Sequence, residues 1–138
     1  MIFFNIETEF CLKDELDISS WLMKCVERED KRQGEVNYIF CDDDYLLELN
    51  VKHLKHNTLT DVIGFDYTMG RLISGDIFIS IERVRENSKF FSASFDDELH
   101  RVMVHGLLHF CGYSDKVKKE KELMRAKEDY YLSLRTFN

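Results

Sequence analysis

"VHGLLHFCGYSD", Val104 to Asp115, sets two histidines four apart in an apolar run, follows them with a Gly-Tyr corner and ends on a carboxylate. From Val102 to Cys111 the chain carries no charged residue, whereas a helix lying on a protein surface shows a polar stripe at every turn. The stretch therefore predicts the most buried helix of the fold. At 3.6 residues per turn, His105 and His109 project from one face within reach of a single ion. A bare pair at this spacing is weak evidence, because a core histidine with ordinary partners gives the same pattern. Its surroundings sharpen it: an imidazole in an apolar helix needs partners for its nitrogens, and a metal accepts one lone pair from each of two neighbouring rings.

Asp115 joins the pair only if the helix stops. Continued as helix, six further residues carry it about 9 Å along the axis beyond His109, too far for a common ion. Gly112 is the residue able to take the left-handed conformation that closes a helix and turns the chain back. Two neutral imidazoles and one carboxylate then make three ligands with a fourth position open, the arrangement of a catalytic rather than a closed structural zinc site. Gly106 costs about 1 kcal/mol against alanine inside a helix, so something must approach the backbone there. It also stands where HExxH zinc peptidases carry their glutamate base, which argues against peptide hydrolysis.

Working outward, "MIFFNIET", "VNYIFC" (Val36 to Cys41), "DVIGFDY" and "GDIFIS" (Gly75 to Ser80) read as four strands from their β-branched and aromatic content. Between and after them lie about five helices. "DISSWLMKCVEREDKR" has Asp17 as its cap, and "DDDYLLELNVKHL" opens on three carboxylates suited to a helix N-terminus. Ser80, with Glu82 shortly after it, and Ser94, three positions before Asp97, start two further helices; the last helix runs from about Val117 to Leu134. Strands and helices alternate early and helices dominate late, which predicts an α/β (α+β) fold, a small mixed four-stranded sheet packed with helices in a zinc-hydrolase-like arrangement. No linker, repeat or low-complexity run divides residues 1–138, so a single domain is expected.

The totals narrow the function classes. A net charge of -7 argues against sequence-independent attraction to a long nucleic-acid backbone, so a nucleic-acid partner requires a local basic patch. Cys11, Cys25, Cys41 and Cys111 are scattered without a CxxC pair and read as buried thiols, not a disulfide framework. "MIFFNIETEF" has no basic segment and no long apolar run; a cytoplasmic protein without a membrane partner is the expectation. His53, His56 and His100 read as surface or helix-end residues. "DKVKKEKELMRAKED" reads as a solvated, charge-laced helix face, although Lys116, Lys118, Lys119 and Lys121 begin next to the proposed ion and would raise the potential there.

Taken together, His105-Gly106-Leu107-Leu108-His109-Phe110-Cys111-Gly112-Tyr113-Ser114-Asp115 resembles the H-G-x-L-H-x-x-G-Y-D-H signature of the YbeY-type rRNA maturation factors. "LTDVIGFDY" resembles the family's T-D-V-L-S-F segment, "SGDIFISIERV" its G-D-I strand entering a helix, and "ELMRAKED" its helix after the metal motif. The resemblance implies a single-strand-specific, metal-dependent endoribonuclease that acts in 16S rRNA 3'-end maturation and ribosome quality control. It implies one zinc ion, held by His105 and His109, with Asp115 where the family has a third histidine. Its implied partners are single-stranded ribosomal RNA, the small ribosomal subunit and its assembly factors.

Two departures qualify the likeness. A carboxylate at Asp115 keeps a viable ligand set but adds negative charge that weakens the ion's Lewis acidity, and Ser114 replaces the family aspartate before it. Four residues beyond Asn50, where the family places an arginine implicated in activity, this chain has Leu54; Lys52, Lys55 and His56 are the nearest substitutes, none with a forked guanidinium. The first reading is thus an RNA hydrolase in which the ion activates its water or polarises a phosphoryl oxygen. The second is a ribosome-associated assembly or RNA-binding factor that keeps the metal as a structural clamp.

Overall fold

A computed structural model describes residues 1–54 and 60–137, the side chain of Leu54 excepted. Its elements run in the order β1 (Ile2–Ile6), α1 (Glu15–Arg28), β2 (Arg32–Cys41), α2 (Asp43–Leu49), a π-helical turn (Asn50–Leu54), β3 (Val62–Asp66), β4 (Leu72–Ser80), α3 (Ile81–Phe90), α4 (Phe95–Phe110) and α5 (Lys118–Ser133). The expected four strands form one mixed sheet in the order β1-β2-β4-β3. Strands β1, β2 and β4 are mutually parallel, with Val36 opposite Ile2 and Gly75, while β3 runs antiparallel to β4 with Gly64 opposite Ile77.

The period-two burial of the strands separates two layers. Val36, Tyr38 and Phe40 of β2 and Ile73, Ile77 and Ile79 of β4 are buried against a core that also takes Leu22 of α1 and Met103, Val104 and Leu107 of α4. Phe65, Phe78, Cys41 and Ile63 point into a smaller cluster closed by Leu46 and Leu49 of α2. Helix α4 is held close to the sheet at Gly106, where a Cβ would stand 3.0 Å from Cγ2 of Ile77. That is the close approach the glycine implied. One turn on, the Phe110 ring lies over Gly64 and Gly75 of the two strands beneath.

Several boundaries differ from the sequence reading, each for a local reason. Strand β2 starts at Arg32 instead of Val36, because Arg32 and Gln33 pair with Leu72 and Ile73 before a bulge shifts the register. Helix α1 is capped at Asp14, which sits at φ 58° with its carbonyl accepting from the Ile18 amide, and not at Asp17. Serine caps at Ser80 and Ser94 are as predicted, each side chain accepting from the third amide on, Arg83 and Asp97. Cys11 is exposed, unlike the buried Cys25 and Cys41. Burial pushes the Cys25, Cys41 and Cys111 thiols up, which disfavours thiolates at these three positions. Among the described residues no helix is long and apolar enough to cross a membrane.

His100 also corrects the sequence reading. It is buried, 4% exposed, between the rings of Trp21 and Phe137, and its Nδ1 accepts from the Arg135 guanidinium at 2.7 Å. Burial first, and then the Arg135 charge, hold its pKa down at about 4. An unfolded chain protonates this ring near 6.5, whereas the folded one resists until about 4, so folding loses stability as pH falls through that window. Chemical denaturation between pH 7 and 4 should show wild type losing on the order of 3 kcal/mol more than His100→Gln; parallel pH curves for the two proteins would refute this role.

Candidate metal centre

Of residues 102–110 on α4, only His105 and His109 are not buried. The face they share opens into a cavity of about 490 Å³ whose walls include Asn50, Thr60, Asp61, Gly64, Asp66 and Asp115. Helix α4 ends in a Schellman turn: Gly112 takes φ 107°, its amide bonds the His109 carbonyl at 3.0 Å, and the Tyr113 amide bonds the Leu108 carbonyl at 3.1 Å. The reversed chain carries Asp115 back to the histidines. Its Oδ2 lies 3.3 Å from His105 Nε2 and 3.2 Å from His109 Nε2, and the two Nε2 atoms are 3.0 Å apart.

Each ring is fixed from behind. His105 Nδ1 meets Glu128 Oε2 at 2.6 Å, and His109 Nδ1 meets the Tyr113 carbonyl oxygen at 2.9 Å. A carboxylate and a carbonyl only accept, so each Nδ1 carries the proton and, in a neutral ring, each Nε2 presents a lone pair. Three lone-pair donors thus converge. Their separations approach the roughly 3.3 Å edges of a tetrahedron with bonds of about 2.0 to 2.1 Å. This cluster could hold a metal ion.

Electrostatics around the cluster are arranged by α5 and α1. Burial opposes a charge on His105, but the hydrogen bond and charge of Glu128, followed by Asp115 and Asp61, outweigh it and hold the ring's pKa above its ordinary value. Glu128 is 5% exposed, and its second oxygen accepts from Arg101 Nη1 at 2.9 Å. On the opposite side Tyr113 donates its hydroxyl to Glu29, the residue after α1, which also accepts from Tyr131 and from Lys127 at 3.1 Å. Burial opposes ionisation of Glu29; these three donors prevail and lower its pKa. The loop that supplies the carbonyl to His109 is therefore pinned by its own side chain.

Lys52 lies exposed on the π-helical turn and does not line the cavity, whereas Asn50 at the start of that turn does. Lys55 and His56 fall outside the described residues. Lys116, Lys118, Lys119 and Lys121 are absent from the walls of both cavities that border the cluster. The sequence reading did not single out Asp61, Glu128, Arg101 or Glu29. Glu128 left a signal: Met124, Glu128 and Tyr131 are buried at helical spacing, a stripe that begins inside the solvated, charge-laced run and ends just past it.

Replacing Glu128 with glutamine keeps its shape but removes the charge that makes His105 a better ligand. The variant should bind zinc about 10-fold more weakly in a competition titration against a chromophoric chelator. Wild-type affinity in Glu128→Gln would exclude that role for Glu128.

Comparison with known proteins gives the chain's family. The family model described as endoribonuclease YbeY matches residues 4–135. A protein of Flavobacterium johnsoniae named endoribonuclease YbeY is 55% identical over 134 residues, 97% of this chain and 96% of its own. One of Christiangramia forsetii with the same name is 49% identical over 131 residues, 95% of this chain and 92% of its own. The solution structure of TM1509 from Thermotoga maritima superposes with a TM-score of 0.68 at 28% identity, covering 96% of this chain and 87% of that one. With the family model matched over nearly its whole length and relatives at about half identity, the chain belongs to the endoribonuclease YbeY family.

Proposed function

We propose that residues 1–138 act as a single cytoplasmic domain that hydrolyses phosphodiester bonds of single-stranded RNA at a zinc ion held by His105, His109 and Asp115. The observation that carries this reading is the convergence of three lone-pair donors at 3.0 to 3.3 Å on the wall of an open cavity. Zinc suits two imidazoles and a carboxylate, and when bound it supplies Lewis acidity towards a phosphodiester and the attacking water. Family membership supports RNA as the substrate. The resemblance of the motifs supports 16S rRNA 3'-end maturation, ribosome quality control, and the small ribosomal subunit with its assembly factors as the setting.

The protein's own residues supply the rest. Asp61 stands at the head of β3 on the wall shared by the two cavities that border the cluster. Burial raises its pKa although the nearby His105 charge pulls the other way, so the carboxyl lies nearer the working pH than an exposed aspartate would. It is the group placed to take a proton from an attacking water. Asn87 reaches its Oδ2 from α3 at 3.5 Å and orients it. Thr60 and Asn50 offer polar side chains to the phosphate on the same wall. A peptidase reading lacks its glutamate, for Gly106 faces Ile77 of the sheet.

The test is cleavage of a single-stranded RNA oligonucleotide by zinc-stoichiometric protein. His109→Ala should lose both zinc and cleavage. Asp61→Asn should keep its zinc and lose on the order of 10²-fold in kcat. Zinc retained in the wild type without cleavage above a metal-free control would instead favour the structural-clamp reading, to which Leu54 in place of the family arginine points.

A further inference from the structure

A second cavity, of about 570 Å³, opens beside the metal centre and shares Thr60, Asp61, His105 and Asp115 with it. Its far wall is built from α3, α4 and α5 and brings Arg83, Arg101 and Arg125 together with Asn87 and Phe91. Through Phe91, Glu98, Arg101 and Arg125 it continues into a third cavity of about 280 Å³ that ends at Arg135. Four arginines lie along this continuous groove, interleaved with Asp61, Asp97, Glu98, Asp115, Glu128 and Asp129, so what it offers a phosphate depends on which guanidinium is left without a carboxylate.

The arginines are not equivalent. Asp43 holds Arg83 through Nε at 3.1 Å, Glu128 and Asp129 hold Arg101 at 2.9 and 2.6 Å, and Asp97 holds Arg135 at 2.9 Å. These three are fixed in place. Arg125, exposed on α5, makes no such ion pair among the described residues and acts on buried Glu98 only through its charge. At the groove's edge Phe91, at the C-terminus of α3, leaves 57% of its surface exposed, its ring edge-to-face with Phe90. An exposed aromatic ring and a guanidinium without a carboxylate partner on the walls of one groove are the combination that binds unpaired bases and their phosphates.

We propose that this groove is the track for the nucleotides flanking the scissile phosphate, with one base stacked on Phe91 and a backbone phosphate on Arg125. The placement rests on the metal-centre reading for the position of the scissile bond, but the track itself does not need the ion. It selects against duplexes, whose paired bases have no free face to stack.

Fluorescence anisotropy with a labelled single-stranded RNA, on zinc-loaded protein and on His109→Ala, separates the two readings. Phe91→Leu and Arg125→Ala, both at exposed positions, should each weaken binding about tenfold and lower kcat/KM through KM, with zinc content and melting temperature unchanged. Phe91→Trp should restore binding, which a merely structural apolar contact would not require. Arg125→Ala should also reduce the slope of log affinity against log salt by about 0.7. His109→Ala should lose cleavage yet keep binding within a few-fold. Wild-type affinity in Phe91→Leu and Arg125→Ala, or equal affinity of Phe91→Leu and Phe91→Trp, would overturn the track and leave the metal centre standing. Absent cleavage in the wild type with binding that still follows Phe91 and Arg125 would overturn the hydrolytic reading and leave the track.

Discussion

Two imidazole nitrogens and a carboxylate oxygen, each presenting electron pairs, repel one another at 3.0 to 3.3 Å unless a proton or a cation lies between them. The surrounding fold is organised to maintain that unfavourable convergence. Its most direct device is a pair of acceptors behind the rings: Glu128 and the Tyr113 carbonyl take the Nδ1 protons and turn both Nε2 atoms to one point. A proton on one Nε2, or a divalent cation, relieves the repulsion. The charge of Glu128 on His105 favours either occupant, so a metal bound there would compete with the proton at this ring.

The supports of the centre come from elements far apart in the chain. Helix α4 supplies both histidines and, by ending in its Schellman turn, the aspartate. Helix α5 contributes Glu128 from its buried stripe and α1 is followed by Glu29, which ties down Tyr113. The close approach of Gly106 to Ile77 sets how deeply α4 sits on the sheet and hence where the histidines emerge. Displacing α5 alone would free Glu128 and Arg101 together, so packing and site electrostatics are one arrangement.

An acidic chain that acts on a polyanion must hold cationic side chains within reach of its phosphates. Here ion pairs fix Arg83, Arg101 and Arg135 along a groove leading away from the donor cluster, and Arg125 on the same walls has no such pair among the described residues. The overall charge of -7 is an average that conceals this local order. Formal charge limits long-range attraction, whereas side chains within a few ångströms of a phosphate govern contact.

Local sequence alone determined the four strands, the serine caps at Ser80 and Ser94, the buried character of α4, and the turn at Gly112 that returns Asp115 to His105 and His109. These are features of short range, in which periodicity, a capping hydroxyl or a positive φ is dictated by residues a few positions apart. Hidden from it were the bulge that lengthens β2, the burial of His100, and the placement of Asp61, Glu128, Arg101 and Glu29 around the centre. Those depend on which helix packs against which. His105 and Glu128 are 23 residues apart, and Tyr113 and Glu29 are 84 apart. Only the closing of α1, α4 and α5 over one face of the sheet brings such partners within hydrogen-bond reach, and those partners, acting against burial, set the charge states of His105 and Glu29.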